Sequence, residues 1–360
     1  MHTVITLEDL GYNSRIEEYI IQQKLEGFEV GRVVAEHKER YVVRTIAREL
    51  DAEITGNMRF TARSREDYPA VGDWVACIAY DSGTAIIHKV LPRFSTIQRQ
   101  AVGQPGEIQI IATNIDVAFL VQAADRDFNI NRLQRYLTIC NSSGVEPVIV
   151  LSKIDLVSEL RKNEILKSIN DRIKDVLVLA ISNETQDGYD AINRFTEKGK
   201  TYCMLGSSGV GKSTLLNNLS GTSVMKTGHL SESTNKGRHV TSHRELVILD
   251  NGAILIDNPG MREVGLADTS GGLEITFNKI AELSKSCRFK DCKHTTEVGC
   301  QVLRAVESGE IDMDSYENYL KLEREKAHFE STLAEKRTKD KEFGKMMKNY
   351  KKDIKKNRFQ

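Results

Sequence analysis

The chain has 360 residues, with 51 Lys and Arg against 51 Asp and Glu. At about 150 residues per domain this predicts two or three domains, and the zero net charge gives no sign of a polyanionic partner. No run of about 18 apolar residues occurs, and the acidic start "MHTVITLEDLGYNSRIEEYI" lacks a basic region followed by an apolar stretch; neither a membrane span nor a signal peptide is expected, and the expected location is cytoplasmic.

From Glu29 to about Arg93 the sequence reads as short β segments, "EVGRVVAEH", "RYVVRTIA", "AEITG", "DWVACIAY" and "TAIIHKVLP", separated by turn residues. Their alternation predicts a small closed sheet. Five strands in so short a span fit an oligonucleotide-binding (OB) barrel better than a sandwich of about seven, with an SH3-like barrel as the alternative. Ten basic and ten acidic residues balance here, so charge alone does not argue for RNA. Arg59, Arg63 and Arg65 form the densest basic cluster, open to an RNA-contact or a solvated reading.

From about Ile108 the texture changes to apolar strands alternating with amphipathic helices: "VAFLVQA", "INRLQRYLTICNSSG", "PVIVLSK", "ELRKNEILKSINDRI", "VLVLAIS", "TYCMLG", "ELVIL" and "AILIDNPG". That alternation predicts a parallel sheet wrapped by helices. After about Leu266 no strand is expected. A helical stretch follows, in which Tyr316, Tyr319, Leu320, Phe329 and Leu333 fall at helical spacing as packing residues. Residues 336–360 carry eleven Lys or Arg against three Asp or Glu. Such a tail suits nucleic acid or an acidic surface, or is a solvated helix end.

Gly206, Ser207, Ser208, Gly209, Val210, Gly211, Lys212 and Ser213 match G-x-x-x-x-G-K-[ST], between the strand "TYCML" and a helix-prone segment opening at Thr214. The glycines let backbone N–H groups turn around phosphate oxygens, and the helix N-terminus adds to the attraction. Lys212 is expected to reach the β and γ phosphates, and the Ser213 hydroxyl to ligate magnesium. "ILIDNPGM" ends a strand with Asp257, placed to hold magnesium through water, and Gly260, whose N–H can meet the γ phosphate. Between them, Thr241 is the candidate hydroxyl for magnesium and γ-phosphate sensing, with Thr234 its competitor. Met261 stands where Ras-like enzymes place a water-orienting glutamine. Slow intrinsic turnover is therefore expected, with His239 as a substitute or simply a loop histidine.

Before the phosphate loop, Ser152, Lys153, Ile154 and Asp155 close an apolar strand. An aspartate there can accept both the N1–H and the exocyclic amine of guanine, which adenine does not offer. The Lys153 stem can lie along the ring, and Ser182 or the backbone of Asn183 can face the base oxygen. Further on, Cys287, Cys292, His294 and Cys300 give C-x4-C-x-H-x5-C, a tetrahedral structural zinc set. Three cysteines would leave one disulfide partner over. Lys285, Arg288, Lys290 and Lys293 lie around them, while Cys77, Cys140 and Cys203 read as buried free thiols.

The order S-K-x-D, A-I-S, G-x-x-x-x-G-K-S, D-x-P-G resembles the circularly permuted GTPases. The OB-like barrel before it and "CRFKDCKHTTEVGC" after it narrow the resemblance to the RsgA (YjeQ/YloQ) family. The resemblance covers nearly the whole chain. It implies a multidomain protein: an N-terminal segment and OB barrel (1–97), a permuted α/β P-loop GTPase core (98–266), a zinc-binding helical domain (267–335) and the basic tail (336–360). It further implies a monomer that binds GTP with Mg2+, carries one structural Zn2+, and binds the small ribosomal subunit and its RNA late in maturation. Hydrolysis would be stimulated by the subunit and followed by departure. Two positions depart from the family: Ser152 stands for an Asn or Thr, and Asn183 for the Ala of a Ser-Ala pair. The rival readings are a P-loop ATPase and a very slow or non-hydrolysing GTP-switched RNA scaffold.

Overall fold

The structure, a computed structural model, describes residues 6–37, 40–101, 107–125, 127–221, 245–257 and 271–332, with 335 and 338. Helix α1 (Ser14–Gln22) starts at Asn13, whose side chain accepts the N–H groups of Arg15 and Ile16 and so satisfies two donors of the first turn. Strands β1 (Glu29–His37), β2 (Arg40–Arg44) and β3 (Glu49–Ile54), helix α2 (Gly56–Thr61), and strands β4 (Trp74–Ala79) and β5 (Thr84–Val90) follow. The strands pair in the order β1-β2-β3-β5-β4, and β4 returns to β1, closing the barrel. Only β3 and β5 run parallel within it. Strict alternation sends Leu50, Ala52 and Ile54 inward and Glu49, Asp51 and Glu53 outward, onto a core with Val33, Val43, Val75 and Ile87. This is the expected OB topology, with α2 between the third and fourth strands.

A two-stranded hairpin, β6 (Thr96–Gln100) and β7 (Ile108–Thr113), follows. It spans the position expected to divide barrel from GTPase core. Then come β8 (Val117–Ala123), α3 (Ile130–Ser143), β9 (Glu146–Ser152), α4 (Glu159–Arg172), β10 (Leu177–Ala180), α5 (Tyr189–Phe195), β11 (Thr201–Leu205), α6 (Lys212–Leu219), β12 (Glu245–Ile248) and β13 (Ile254–Asp257). In space they lie as β10-β9-β8-β11-β13-β12, parallel except for β12. Every residue of β8 and β11 is buried, as strands covered on both faces require. A bridge between Ala35 of β1 and Glu245 of β12 joins barrel and sheet.

The last part holds α7 (Gly272–Thr276), α8 (Asn278–Ser284), α9 (Gln301–Glu307) and α10 (313–332), with no strand among the described residues. These helices pack on α3: Leu273, Phe277, Ile280, Val302 and Leu322 share one core with Leu133, Tyr136 and Leu137. A Cβ on Gly272 would come within 2.3 Å of the Thr138 carbonyl, so α7 approaches α3 backbone to backbone. Arg135 of α3 grips both carboxylate oxygens of Glu325 at 2.7 Å, and Asn318 donates to Gln134 at 2.8 Å. Tyr316 and Phe329 are buried and Tyr319 and Leu320 pack on this core, as their spacing predicted; Leu333 lies outside the described residues.

A buried arginine and a half-buried one fasten the barrel. Arg32 donates to the carbonyls of Leu10, Gly72 and Asn114, one each from the N-terminal segment, the barrel and the GTPase core. Arg93 bonds both oxygens of the fully buried Asp73, at 2.8 and 2.6 Å. Cys77, Cys140 and Cys203 are buried free thiols, and burial raises the pKa of each. Among the described residues no helix is long and apolar enough to cross a membrane.

Candidate nucleotide site and metal cluster

Central strand β11 delivers the chain to Gly206, where a Cβ would lie 2.3 Å from the Val121 carbonyl of β8. Only glycine lets the loop turn this tightly against its neighbour. Gly209 and Gly211 have φ of +83° and +95°, the left-handed region that glycine enters without strain. Ser208 and Gly209 are exposed at the tip, Val210 is buried, and Ser213 and Thr214 are half-buried on the first turn of α6. That helix begins without a side-chain cap, so its first N–H groups face the loop, the arrangement that suits an oxyanion. The Lys212 ammonium crosses the loop to the carbonyls of Gly206, at 2.8 Å, and Ser207, at 2.6 Å.

Strand β9 ends at Ser152 on the same side of the sheet. Lys153 turns the chain with φ +58°, and a single 3-10 turn, Ile154–Leu156, holds Asp155 exposed. The Ile154 N–H donates to the Ile181 carbonyl, linking this turn to the loop after β10. In that loop the buried Ser182 hydroxyl accepts the N–H groups of Glu184, at 3.2 Å, and Thr185, at 3.1 Å, which fixes the loop's shape. Both loops touch the phosphate loop. The Ser152 hydroxyl donates to the Val210 carbonyl at 2.7 Å, and the Asn183 amide donates to the Gly211 carbonyl at 3.0 Å.

Asp257 ends β13 beside β11, its backbone in register with Glu245. Thr234, His239, Thr241, Gly260 and Met261 lie outside the described residues. Sequence reasoning did not single out Asp125, which pairs with Lys153 at 3.3 Å. Nor did it find Arg132, which donates to Ser207 Oγ at 2.8 Å and to Asp127 at 3.0 Å. Asp125 follows the end of β8, a position whose ligand-facing character the strand pattern itself signals.

The second constellation is the Cys/His cluster. The ligand atoms of Cys287, Cys292, His294 and Cys300 all lie within 4.8 Å of one another. His294 Nδ1 is 3.3 Å from Cys300 Sγ and 3.7 Å from Cys287 Sγ, and those two sulfurs are 3.9 Å apart. A tetrahedron with bonds of about 2.3 Å has edges of about 3.8 Å, so the donor set fits one four-coordinate ion. The N–H groups of Gln301 and Leu303 donate to Cys287 and Cys300 sulfur, each at 3.4 Å. Burial pushes the Cys292 thiol up to about 11; burial also works against the Cys287 thiolate, but N–H donors from Gln301 and Val302 prevail and lower it. Burial lowers the His294 pKa, favouring the neutral ring that a metal takes. The Glu297 carboxylate accepts the N–H groups of Thr296, Lys293 and Thr295, which bring its pKa down to about 2 and hold the turn together. The Tyr316 hydroxyl donates to the His294 carbonyl at 2.5 Å, tying the cluster to α10. Lys285, Arg288, Lys290 and Lys293 are exposed around it.

A central strand feeding a phosphate loop, two loops bonded to it from strands that come earlier in the chain, and an antiparallel β12 at the edge define a circularly permuted P-loop GTPase. The RsgA GTPase family model matches residues 90–267. An ABC transporter model also matches residues 189–358, a span that includes the phosphate loop such proteins share. The chain is 42% identical over 299 residues to small ribosomal subunit biogenesis GTPase RsgA 2 of Lactiplantibacillus plantarum, covering 83% of this chain and 84% of that one. It is 37% identical to RsgA 2 of Vibrio parahaemolyticus, covering 97% of this chain and 94% of that one. Among solved structures, YjeQ from Thermotoga maritima superposes with a TM-score of 0.60 at 26% identity, over 83% of this chain and 98% of that one. The structure of YloQ, a circularly permuted GTPase, gives 0.58 at 25% identity, over 83% and 95%. The chain belongs to the RsgA family of small-ribosomal-subunit biogenesis GTPases and is a GTP hydrolase.

Proposed function

We propose that this GTPase binds the small ribosomal subunit late in its maturation, contacts ribosomal RNA through its barrel and metal-binding helical region, and leaves after subunit-stimulated hydrolysis of GTP to GDP and phosphate. The nucleotide part of this reading rests on the pair of bonds from Ser152 and Asn183 to the phosphate loop, which makes one site of loops distant in the chain, and the ribosomal part is supported by relatives named for small-subunit biogenesis. Asp155 reads guanine and Lys153 lies along the base. Ser182 or the backbone of Asn183 faces the base oxygen, and residues Gly206 to Thr214 hold the phosphates. Ser213, Thr241 and Asp257 hold Mg2+, which neutralises charge on the β and γ phosphate oxygens when bound. Gly260 donates its N–H to the γ phosphate, and His239 supplies polar help for the attacking water in place of the glutamine absent at Met261.

Three thiolates and an imidazole suit one structural Zn2+ with no open position. The protein acts as a cytoplasmic monomer, divided as 1–97, 98–266, 267–335 and 336–360. Met261 also favours a second reading, a very slow GTP-switched RNA scaffold. Turnover of GTP by purified protein with and without small ribosomal subunits, at two salt concentrations, tests the proposal. Stimulation that weakens with salt is expected; no stimulation would remove the ribosomal reading and leave the scaffold.

A further inference from the structure

Ser152 and Asn183 spend their side chains on consecutive carbonyls of the phosphate loop. Ser152, fully buried, donates its hydroxyl to the Val210 carbonyl at 2.7 Å. A hydroxyl has one proton to give, whereas an asparagine in its place would bring two N–H donors. Asn183, 28 residues before the loop glycine it meets, donates Nδ2 to the Gly211 carbonyl at 3.0 Å. The approach is close, since a Cβ on Gly211 would lie 2.4 Å from that nitrogen.

The orientation of this amide is fixed by its partners. The Gly211 carbonyl only accepts, and Asn183 Oδ1 accepts the Tyr189 hydroxyl at 2.8 Å. That hydroxyl accepts in turn from Asn218 Nδ2 of α6 at 2.9 Å, and the same Asn218 amide donates to the Asn183 carbonyl at 3.0 Å. Burial raises the Tyr189 pKa, which keeps the phenol a donor. A network whose members are all paired rigidifies what it connects. An alanine at 183 could make none of its side-chain links.

We infer that Asn183 is a positioning residue for nucleotide binding: with Tyr189 and Asn218 it supplies the tether between base-reading loop and phosphate loop that serine at 152 supplies only in part. It acts through the Gly211 carbonyl, and so on the direction in which the first turn of α6 presents its N–H groups. The inference rests on the proposed assignment of Asp155 and the phosphate loop to the nucleotide.

The test measures equilibrium affinity and dissociation rates of fluorescent GDP and GTP analogues on the full-length chain, with thermal unfolding alongside. Loss of one such hydrogen bond predicts roughly three- to tenfold weaker binding of both nucleotides in Asn183→Ala. The losses in Asn183→Ala and Asn218→Ala are not additive, because both break one network. Adding Ser152→Asn to Asn183→Ala returns affinity to within about twofold of the parent, since the second donor is restored; a purely structural defect at 183 would gain nothing from it. Unchanged affinity in Asn183→Ala, additive losses, or no recovery in the double variant would each overturn the inference. Unchanged guanine preference in Asp155→Asn would instead overturn the base-reading assignment beneath it.

Discussion

The Asp73–Arg93 pair offers a sharp test of what holds the barrel together. Asp73 is fully buried and receives the Arg93 guanidinium on both oxygens. Its Oδ2 also accepts the Ala70 N–H at 2.8 Å. Burial disfavours the Arg93 charge, but the bonds to Asp73 outweigh it and raise the pKa. Removing one partner of a buried pair costs about 3–5 kcal/mol. In Asp73→Ala, Arg93 keeps the carbonyls of Glu66 and Tyr68, at 2.7 and 2.8 Å, and its side chain is 17% exposed. The loss therefore falls at the lower end, about 3 kcal/mol. Trp74, the chain's single tryptophan, is buried in the next position and reports barrel unfolding by fluorescence. With a urea slope of about 2 kcal/mol per molar, the midpoint drops by about 1.5 M. Arg93→Ala costs more, because Asp73 has no route to water, and the double variant costs less than the sum of the two. A loss under about 1 kcal/mol in Asp73→Ala, or strict additivity, would refute the reasoning.

Asp155→Asn should weaken guanine nucleotides at least tenfold while improving xanthine nucleotides, read by competition binding; retained guanine preference would show that a group other than Asp155 reads the base. Gly211→Ala should abolish nucleotide binding, because the residue sits at φ +95° and its Cβ would meet the Asn183 amide at 2.4 Å; isothermal titration checks this. Chelation of the metal, or Cys300→Ser, should unfold the segment around residues 285–300 and loosen α9, whose first turn Cys300 caps through the Leu303 N–H. Hydrogen exchange would show this as lost protection there, and intact protection would count against a structural metal. Glu297→Gln should leave the ligands in place but lower metal affinity roughly tenfold, the scale of a lost supporting contact, measured by competition with a chromogenic chelator.

Much of this architecture is legible in the residues. Alternation at Leu50, Ala52 and Ile54 marks a half-buried strand, and the unbroken apolar run of β8 marks one covered on both faces. The β6–β7 hairpin escaped notice because "TIQRQ" and "IQIIAT" carry no clean period, and a register shift between Ile97 and Gln98 breaks what alternation there is. Helix α2 was missed for a related reason: six residues are too few to show a helical period. Within the site, spacing located the phosphate loop and the Cys/His set, because both are local. It did not reveal what Asn183 touches, since its partners Gly211 and Asn218 come from a later part of the chain that only folding brings near. The sequence marks the residue, and its contacts come from the fold.

The bridge between Ala35 and Glu245 bears on solubility as well as shape. Strand β12 ends the GTPase sheet, and an open strand edge is a template on which other chains can pair. Barrel strand β1 meets that edge at the pair Ala35 and Glu245, so the barrel covers the start of it in addition to whatever it binds. A GTPase core expressed without residues 1–97 would expose the β12 rim, and aggregation, rather than loss of catalytic groups, is its expected failure.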